Sequence, residues 1–346
     1  MKTAGNTVNE IDPTLAAPDL VRWPIASRGG RSVTPTAPQS QVLFLAGMGR
    51  SGTTLLERVL GETTTMAPLG EVLHLWVRGI VDDNLCGCGH PFSACPFWTD
   101  VGERAFGGWS QVDVERLRWL RGQVDRSIRV VRTARRHPSR AVLRLIEEYA
   151  GHYAALYAAA GDVSGRPWVI DSSKQASLPF CLAHVPQIRL RVVHCVRDPR
   201  AVAHAWTKSV PRPEVQGGEA TMPTYGSWEL AAMWTVHNAE LTMLQHLGVP
   251  RLRVRYEDLA DDPITQIGRV ADLLGVRPDK PVSADRTVQL TASHTCAGNP
   301  GRFQTGLTQI TRDDAWRREM PRAKRALVTA FTAPLLMAYG YGRDGR

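Results

Sequence analysis

A glycine-rich segment near residue 50 has the spacing of a loop that binds phosphate. Gly47 and Gly52 are separated by four residues, and loops of this kind direct backbone N–H groups at an anion. The apolar run 42–46 before the loop predicts a buried strand, and the pattern over 54–60 after it predicts a helix. A strand before such a loop and a helix after it are the context in which the loop binds an anion.

The loop has no lysine at the position from which a nucleoside triphosphatase reaches the β- and γ-phosphates. Thr53 and Thr54 stand at the two positions after the second glycine, and the positive residue is Arg50. A planar guanidinium can hold two oxygens of one tetrahedral anion. The loop therefore favours a 5′-phosphate that bears one further group over a triphosphate with magnesium. We assign this binding to Arg50, Ser51, Gly52, Thr53 and Thr54.

Three further apolar runs predict buried strands, over residues 168–170, 190–196 and 252–256. Lys174 lies shortly after the first run, and Arg197 directly follows the second. Parallel strands meet with their carboxyl ends at one edge of a sheet, where open α/β sheets bind their ligands. We therefore expect both side chains near the glycine loop.

The order of these elements predicts an α/β fold of the P-loop type, with three layers and a central parallel sheet. A long, largely helical insertion separates the first two predicted strands, over about residues 71–165. Spacings of three and four residues in it predict an amphipathic helix, with an apolar stripe of Leu117, Leu120, Val124, Ile128 and Val131.

At this point the chain resembles the sulfotransferases that use 3′-phosphoadenosine 5′-phosphosulfate (PAPS), and it is most similar to their tyrosylprotein, carbohydrate-like and bacterial branch. Residues 50–54 resemble the 5′-phosphosulfate loop, and residues 193–200 resemble the 3′-phosphate signature. The likeness extends over about residues 42–320. It implies transfer of a sulfuryl group from PAPS to a hydroxyl of an acceptor (a sugar, phenol, lipid or natural product), with release of adenosine 3′,5′-bisphosphate and no metal required.

Glu71 and Lys174 are the candidates for the chemistry, together with Arg50. Glu71 lies 21 residues after Arg50, and a partly desolvated glutamate has a raised pKa and can act as a general base near neutrality. The resemblance implies the same role, since the tyrosylprotein-like branch has its catalytic glutamate at the matching place. A helix-capping carboxylate is the alternative, and His74 is the rival base. Lys174 and Arg50 can neutralise charge on the leaving phosphate.

Three more residues are expected at the nucleotide. The resemblance implies that Arg197 binds the 3′-phosphate and that Tyr256 contacts the nucleotide, and Arg302 lies in a loop that can reach the 3′-phosphate. The alternatives are an ion pair for Arg197, a core position for Tyr256 and a surface turn for Arg302. The family usually has a serine for the 3′-phosphate where this chain has Ala205. Its replacement stays open among His204, Thr207, Lys208 and Ser209.

A cysteine-rich segment in the insertion has the spacing Cys86-x-Cys88-x-His90-x4-Cys95. Four soft ligands so close together can hold a structural zinc ion. However, the start is not the usual two-residue knuckle, and the neighbouring aromatic residues indicate packing. Free or paired cysteines are therefore the favoured interpretation, and we assign no metal.

Composition limits the class of protein. The chain of 346 residues has a formal net charge of +9, which favours an anionic partner. Six cysteines are too few for a disulfide scaffold. No apolar stretch reaches the roughly 18–20 residues that cross a bilayer, and the N-terminus lacks an apolar signal region. We therefore expect a cytoplasmic protein without a membrane span, with a mobile N-terminal arm over residues 1–40 and a single domain over 41–346.

The insertion also contains a run of arginines between residues 116 and 144. A solvated helix face is the favoured interpretation, and a lid that attracts an anionic acceptor or nucleotide is the alternative. Aromatic interleaving and a reading helix are not evident, so no nucleic-acid partner is expected. The rival functions are a P-loop kinase acting on a small molecule and a non-catalytic binder of nucleotides or polyanions. The oligomeric state stays open.

Overall fold

A five-stranded parallel sheet forms the centre of the protein, which a computed structural model describes over residues 40–215, 220–277 and 281–342. The strands stand in the order β2-β3-β1-β4-β5. Their bounds are β1 Ser40–Ala46, β2 Met66–Pro68, β3 Trp168–Lys174, β4 Ile188–Val196 and β5 Arg251–Arg255. Because all the pairings are parallel, the five carboxyl ends lie at one edge.

Helices connect the strands, and an antiparallel hairpin follows them. The helices are α1 Thr53–Gly61, α2 Pro96–Phe106, α3 Val114–Val124, α4 Val130–Thr133, α5 Arg140–Ser164, α6 Leu178–Leu182, α7 Pro199–Ala205, α8 Ser227–Met243, α9 Tyr256–Asp261, α10 Pro263–Leu274, α11 Trp316–Glu319 and α12 Arg322–Ala338. The hairpin consists of β6 Thr287–Leu290 and β7 Gly306–Gln309.

The central strand β1 is buried on both faces, as expected for a sheet between two layers of helices. Val42 and Phe44 pack into a core that includes residues of α5, α6 and the insertion. Leu43 and Leu45 pack into a second core that includes residues of α1, α10 and the hairpin. The predicted α/β architecture with a central parallel sheet is therefore confirmed.

The predicted strands are present, with shifted ends. β3 continues to Lys174, so that this lysine ends the strand instead of following it in a loop. Tyr256 begins α9 instead of ending β5. The short strand β2 and the β6–β7 hairpin were not predicted.

The prediction of one amphipathic helix through Val131 is wrong. The helix α3 ends at Val124, and Ile128 and Val131 are 83% and 67% exposed. The chain turns because Asp125 is buried after the helix, where its carboxylate accepts hydrogen bonds from Ser177 and Tyr149. The helix is therefore ended by partners that are distant in sequence.

The predicted mobile arm lies outside the described residues, apart from Ser40, which begins β1. Among the described helices, none combines the length and the apolar character that a bilayer span requires. The domain boundaries and the cytoplasmic location stay predictions.

Candidate active site

The glycine loop connects β1 to α1 through a backbone that few side chains would permit. A Cβ atom on Gly47 would lie 2.2 Å from the carbonyl oxygen of Cys195, so the loop can approach β4 only without one. Arg50 has a φ of 73°, in the left-handed region that costs non-glycine residues of order 1–3 kcal/mol. Lys174, which ends the neighbouring strand, has a φ of 66°. Two candidate residues at the same edge thus have strained backbones.

The floor of the loop has polar groups that fit an anion. Ser51 Oγ and Thr53 Oγ1 are buried and have no hydrogen-bond partner among the described residues. The first N–H groups of α1 are also without intrahelical partners, as at the start of any α-helix. Unpaired buried donors are costly unless a ligand satisfies them. The loop therefore fits a phosphate or phosphosulfate group. Thr54, the next residue of α1, is half-buried.

Arg50 contributes a positive charge to this loop. Its guanidinium lies 5.2 Å from the centre of the Trp206 ring, and its Nη2 is 3.1 Å from Met222 Sδ. Burial lowers the pKa of Arg50, with Glu71 opposing this effect and Arg197 adding to it. Among the described residues, no carboxylate forms an ion pair with Arg50, so its charge can serve an anionic ligand.

Glu71 and Lys174 form an ion pair next to the loop. Lys174 Nζ donates to Glu71 Oε1, and both side chains are largely buried. The carbonyl of Lys174 accepts from Gly47 N at 3.1 Å, which joins the end of β3 to the start of the loop. The structure thus brings together the two residues for which the sequence predicted a base and an electrostatic stabiliser.

The charge state of Glu71 differs from the expectation. Burial acts to raise the pKa of Glu71, but the charges of Lys174, His74 and Arg78 and the hydrogen bond from Lys174 together outweigh burial and lower it. The expected rise of this pKa is therefore wrong while Lys174 is paired with Glu71. Glu71 Oε2 lies 3.6 Å from His74 Nε2. Burial lowers the pKa of His74 to about 4 despite Glu71, so the imidazole is neutral near pH 7.

A buried glutamate on α1, Glu57, holds the segment that carries Glu71. Its Oε1 accepts from Gly70 N at 2.8 Å, and its Oε2 accepts from Ser172 Oγ at 2.6 Å. Burial raises the pKa of Glu57 to about 7 even though both hydrogen bonds act to lower it. Glu57 therefore connects the helix after the loop to the segment that carries Glu71 and to β3, which ends with Lys174.

Asp171 supports the same segment from inside β3. Its carboxylate accepts hydrogen bonds from Tyr157 and Ser173, and Ser173 Oγ in turn accepts from Leu73 N at 2.9 Å. Burial raises the pKa of Asp171 to about 6. These contacts hold the Asp171 carboxylate inside the protein, where it fixes Ser173 next to Lys174.

Arg197 lies beside the loop with its charge already paired. Its Nη2 donates to Asp313 Oδ2 at 3.0 Å, and its Nη1 donates to the carbonyl of Arg50 at 3.2 Å. The Tyr256 ring lies 4.2 Å beneath its guanidinium. Tyr256 also packs under Gly52, and its hydroxyl accepts from Asp313 N. Tyr256 therefore positions both the loop and Arg197.

Arg302 does not fit the expected contact with a 3′-phosphate. Its side chain is 1% exposed, and it donates to the carbonyls of Thr295 and Leu85. A guanidinium enclosed in this way joins two chain segments and does not reach a ligand in a cleft. The residues around Ala205 are engaged as well, since His204 and Lys208 both contact Glu319.

A cleft of about 600 Å³ lies on the insertion side of His74. His74, which contacts Glu71, lines this cleft, and so does the half-exposed Trp119. Its charged lining consists of two acids, Asp82 and Glu115, and four arginines, Arg78, Arg118, Arg121 and Arg126. The cleft therefore has a positive balance, as the alternative interpretation of the basic run required.

Sequence reasoning missed Glu57 and Trp206. Glu57 follows Thr53 by four residues and so shares the buried stripe of α1, where a charged residue signals a buried polar contact. Trp206 Nε1 donates to the carbonyl of Gly49, a contact without a local signal in the sequence. Both residues position the loop and its surroundings.

The fold and the loop define the class of this protein: an α/β protein with a glycine loop between its central strand and the following helix. A sequence model of the sulfotransferase family matches residues 42–280. The chain therefore belongs to the sulfotransferase family, whose members are transferases.

Similarity to individual proteins agrees with this family. The chain is 30% identical over 177 residues to carbohydrate sulfotransferase 5 of Mus musculus, a match that covers 45% of this chain and 42% of that protein. The chain thus spans less than half the length of the curated relative.

Two solved structures resemble the chain at lower identity. The sulfotransferase domain of the Synechococcus PCC 7002 olefin synthase is 21% identical with a TM-score of 0.43, covering 86% of this chain and 95% of that domain. The sulfotransferase domain from the curacin biosynthetic pathway is 15% identical with a TM-score of 0.46, covering 86% and 97%.

Proposed function

We propose that this chain transfers a sulfuryl group from PAPS to a hydroxyl of an acceptor and releases adenosine 3′,5′-bisphosphate. The observation that carries the proposal is the Glu71–Lys174 ion pair beside a loop with unpaired buried hydroxyls. A base and a cation are the two groups that such a transfer needs next to a bound anion.

PAPS would supply an electrophilic sulfur and a phosphate leaving group. Ser51, Thr53 and the first N–H groups of α1 would hold its 5′ end, with Arg50 adding a cation. Lys174 would neutralise the negative charge that grows on the leaving phosphate. The required positive charge is thus provided by the protein's own side chains.

Glu71 would accept the proton of the acceptor hydroxyl. While Lys174 is paired with Glu71, it lowers the pKa of Glu71, which makes the carboxylate a weak base. When Lys174 turns towards the phosphate, Glu71 loses its strongest positive neighbour, and burial then raises its pKa. Donor binding would in this way strengthen the base at the moment it is needed.

Arg197 would bind the 3′-phosphate by exchanging one anion for another. Asp313 now occupies Nη2 of Arg197, and the Asp313 side chain is about half exposed. A phosphate has more charge and more acceptor oxygens than a carboxylate. We therefore expect the 3′-phosphate to displace Asp313 from the guanidinium.

The acceptor would enter through the arginine-lined cleft, whose lining includes His74, the neighbour of Glu71. Four arginines against two acids favour an acceptor that bears a carboxylate, phosphate or sulfate in addition to its hydroxyl. Trp119 provides an aromatic surface in the same cleft. We therefore propose an anionic, hydroxyl-bearing acceptor.

Turnover with PAPS tests the proposal. Release of adenosine 3′,5′-bisphosphate is measured with hydroxyl-bearing acceptors that differ in charge, and the product is examined by mass spectrometry. Glu71→Gln should lower kcat by about 10²–10⁴ and leave the binding of adenosine 3′,5′-bisphosphate intact. Glu147→Gln, on the exposed face of α5, is the matched control.

Calorimetry separates the rival functions. Binding of adenosine 3′,5′-bisphosphate is compared with that of ATP with magnesium and that of a polyanion. A preference for ATP would favour the kinase and reject the sulfotransferase proposal. Binding of the bisphosphate with no turnover on any acceptor, and equal behaviour of Glu71→Gln and the wild type, would favour the non-catalytic binder.

A further inference from the structure

Four side chains with soft ligand atoms meet at the edge of the insertion. The Sγ atoms of Cys86, Cys88 and Cys95 and a ring nitrogen of His294 all lie within 4.8 Å of one another. We propose that these four residues form a structural Zn²⁺ site that ties the insertion to the return loop, the segment 291–304 between β6 and β7.

The distances between the ligand atoms fit a tetrahedral zinc ion. Zn–S bonds of about 2.3 Å and Zn–N bonds of about 2.0–2.1 Å imply S···S separations of about 3.8 Å and S···N separations of about 3.6 Å. Cys88 Sγ lies 3.7 Å from Cys95 Sγ, and Cys95 Sγ lies 3.3 Å from His294 Nδ1. A disulfide needs about 2.05 Å between sulfurs, so these cysteines are free thiols.

The fourth ligand is not the histidine of the sequence motif. His90 is exposed and contributes its backbone carbonyl, which accepts from Cys86 N at 2.8 Å. The histidine in the cluster is His294, which is 199 residues from Cys95 in the chain. Three cysteines and one histidine from two distant segments form the donor set of closed, structural zinc sites.

The turn that carries the first two cysteines is built against the return loop. Gly87 N donates to the carbonyl of Thr295 at 2.9 Å. A Cβ atom on Gly87 would lie 2.5 Å from the carbonyl oxygen of Ser293, so only glycine allows this approach. The backbone therefore places Cys86 and Cys88 beside His294.

The other two ligands are fixed by their own neighbours. Cys95 is the N-cap residue of α2, where the helix dipole stabilises a thiolate. The His294 ring stacks on Phe97 with centroids 5.0 Å apart and an interplanar angle of 12°. This stacking orients Nδ1 towards Cys95, and little rearrangement is needed to receive a metal.

The metal site would stabilise the return loop, which contacts Glu71, the proposed base. The return loop holds Glu71 through the carbonyl of Ala297, which accepts from Glu71 N at 3.2 Å. Arg302 joins the same loop to Leu85, next to the cysteine turn. With four protein ligands the metal has no open position, and so its role is structural.

Metal analysis of the full chain, purified without chelators, tests the inference. We expect about one zinc ion per chain by inductively coupled plasma mass spectrometry. His294→Asn and Cys88→Ser should each lower the zinc content at least several-fold. His90→Asn, which changes the exposed histidine of the motif, is the matched control and should retain the metal.

A second measurement covers variants that fail to fold. The wild-type chain is reduced, stripped of metal and titrated with Co²⁺, which should produce the charge-transfer absorption of cobalt bound to thiolates. Stripping should lower the Tm, and Zn²⁺ should restore it. Absence of zinc together with no cobalt absorption would overturn the proposal. So would equal zinc content in His294→Asn and the wild type, or a Cys88–Cys95 disulfide found by mass spectrometry.

Discussion

The two ends of the proposed nucleotide site are built differently. At the 5′ end, Ser51 and Thr53 have buried hydroxyls without partners among the described residues. At the 3′ end, Arg197 is already paired with Asp313, a residue of the same chain. An unsatisfied group gains its full interaction when a ligand arrives, whereas a paired group must first give up a partner. The 5′ end should therefore dominate affinity and catalysis.

The two ends also differ in what holds them. Glu57 and Asp171 fix the segments of Glu71 and Lys174 from beneath, and both carboxyl groups are buried. The partner of Arg197, in contrast, is a half-exposed aspartate. Substitutions at the 5′ end should therefore affect both turnover and stability, while those at the 3′ end should affect binding alone.

After Glu71→Gln, the largest effect is expected for Lys174→Met. This change removes the cation next to the leaving phosphate, and the loss of one such group lowers kcat by about 10²–10³. Steady-state release of adenosine 3′,5′-bisphosphate measures it, with Lys324→Met on the exposed surface of α12 as the control. Equal kcat values for the two variants would contradict the assignment and remove the contrast between the two ends.

Glu57→Gln tests the buried support through the pH dependence of stability. The pKa of Glu57 is raised to about 7 by burial, above its unfolded value of about 4.3. The protonated carboxyl thus contributes stability that is complete below the unfolded pKa and is lost as pH rises through 7. Glutamine does not titrate, so the variant should gain roughly 2–3 kcal/mol relative to the wild type between pH 5 and pH 8.

Urea unfolding of both proteins at the two pH values measures this difference. Asp171, whose pKa is also raised, is present in both proteins, and its charge adds to the rise of the Glu57 pKa. A stability difference that is the same at pH 5 and pH 8 would mean that Glu57 is ionised in the fold. In that case the segment that carries Glu71 would be held by an ionised and not by a neutral Glu57.

Arg197→Gln should weaken the binding of adenosine 3′,5′-bisphosphate by about 10–100-fold, because a hydrogen bond to a charged group contributes about 1.5–3 kcal/mol. Binding of adenosine 5′-phosphate, which lacks the 3′-phosphate, should change little. Calorimetry with both ligands makes the comparison. Equal weakening of the two ligands would show that Arg197 acts on the loop and not on the 3′-phosphate.

The smallest effect is expected for Asp313→Asn. The variant removes the anion that competes for Arg197, and surface ion pairs of this kind contribute about 0.2–1 kcal/mol. Adenosine 3′,5′-bisphosphate should therefore bind up to a few-fold more tightly. Weaker binding would contradict the proposed exchange of anions at the 3′ end.

Local signals in the sequence sufficed for the loop and its strand. Gly47, Gly52 and the flanking apolar runs are neighbours in the chain, so their spacing reports their geometry directly. The distance from Arg50 and the family resemblance predicted Glu71, and position after a predicted strand together with that resemblance predicted Lys174. Their direct contact was not predicted, because it depends on the pairing of β2 with β3.

What could not be predicted depends on contacts between distant segments. The end of α3 is set by hydrogen bonds from Tyr149 and Ser177 to Asp125. The apolar periodicity of the sequence does not report these bonds, so it predicted a helix that was too long. The fourth member of the cysteine cluster, His294, comes from a loop outside the insertion. Arg302 is in a loop with glycine and proline, which usually lies at the surface. Its guanidinium is nevertheless buried, where it donates hydrogen bonds to two backbone carbonyls.

The left-handed backbone of Arg50 has a consequence for how this protein would evolve in the laboratory. Glycine adopts that conformation without a steric penalty, so this position offers a gain in heat resistance to a library screened only for survival. Such a screen would drift towards less active chains, since it would discard a side chain that the proposed reaction uses. Selection for thermal stability and selection for turnover would therefore favour different residues at positions in the active site. Comparing the two selections would identify these positions before any ligand is known.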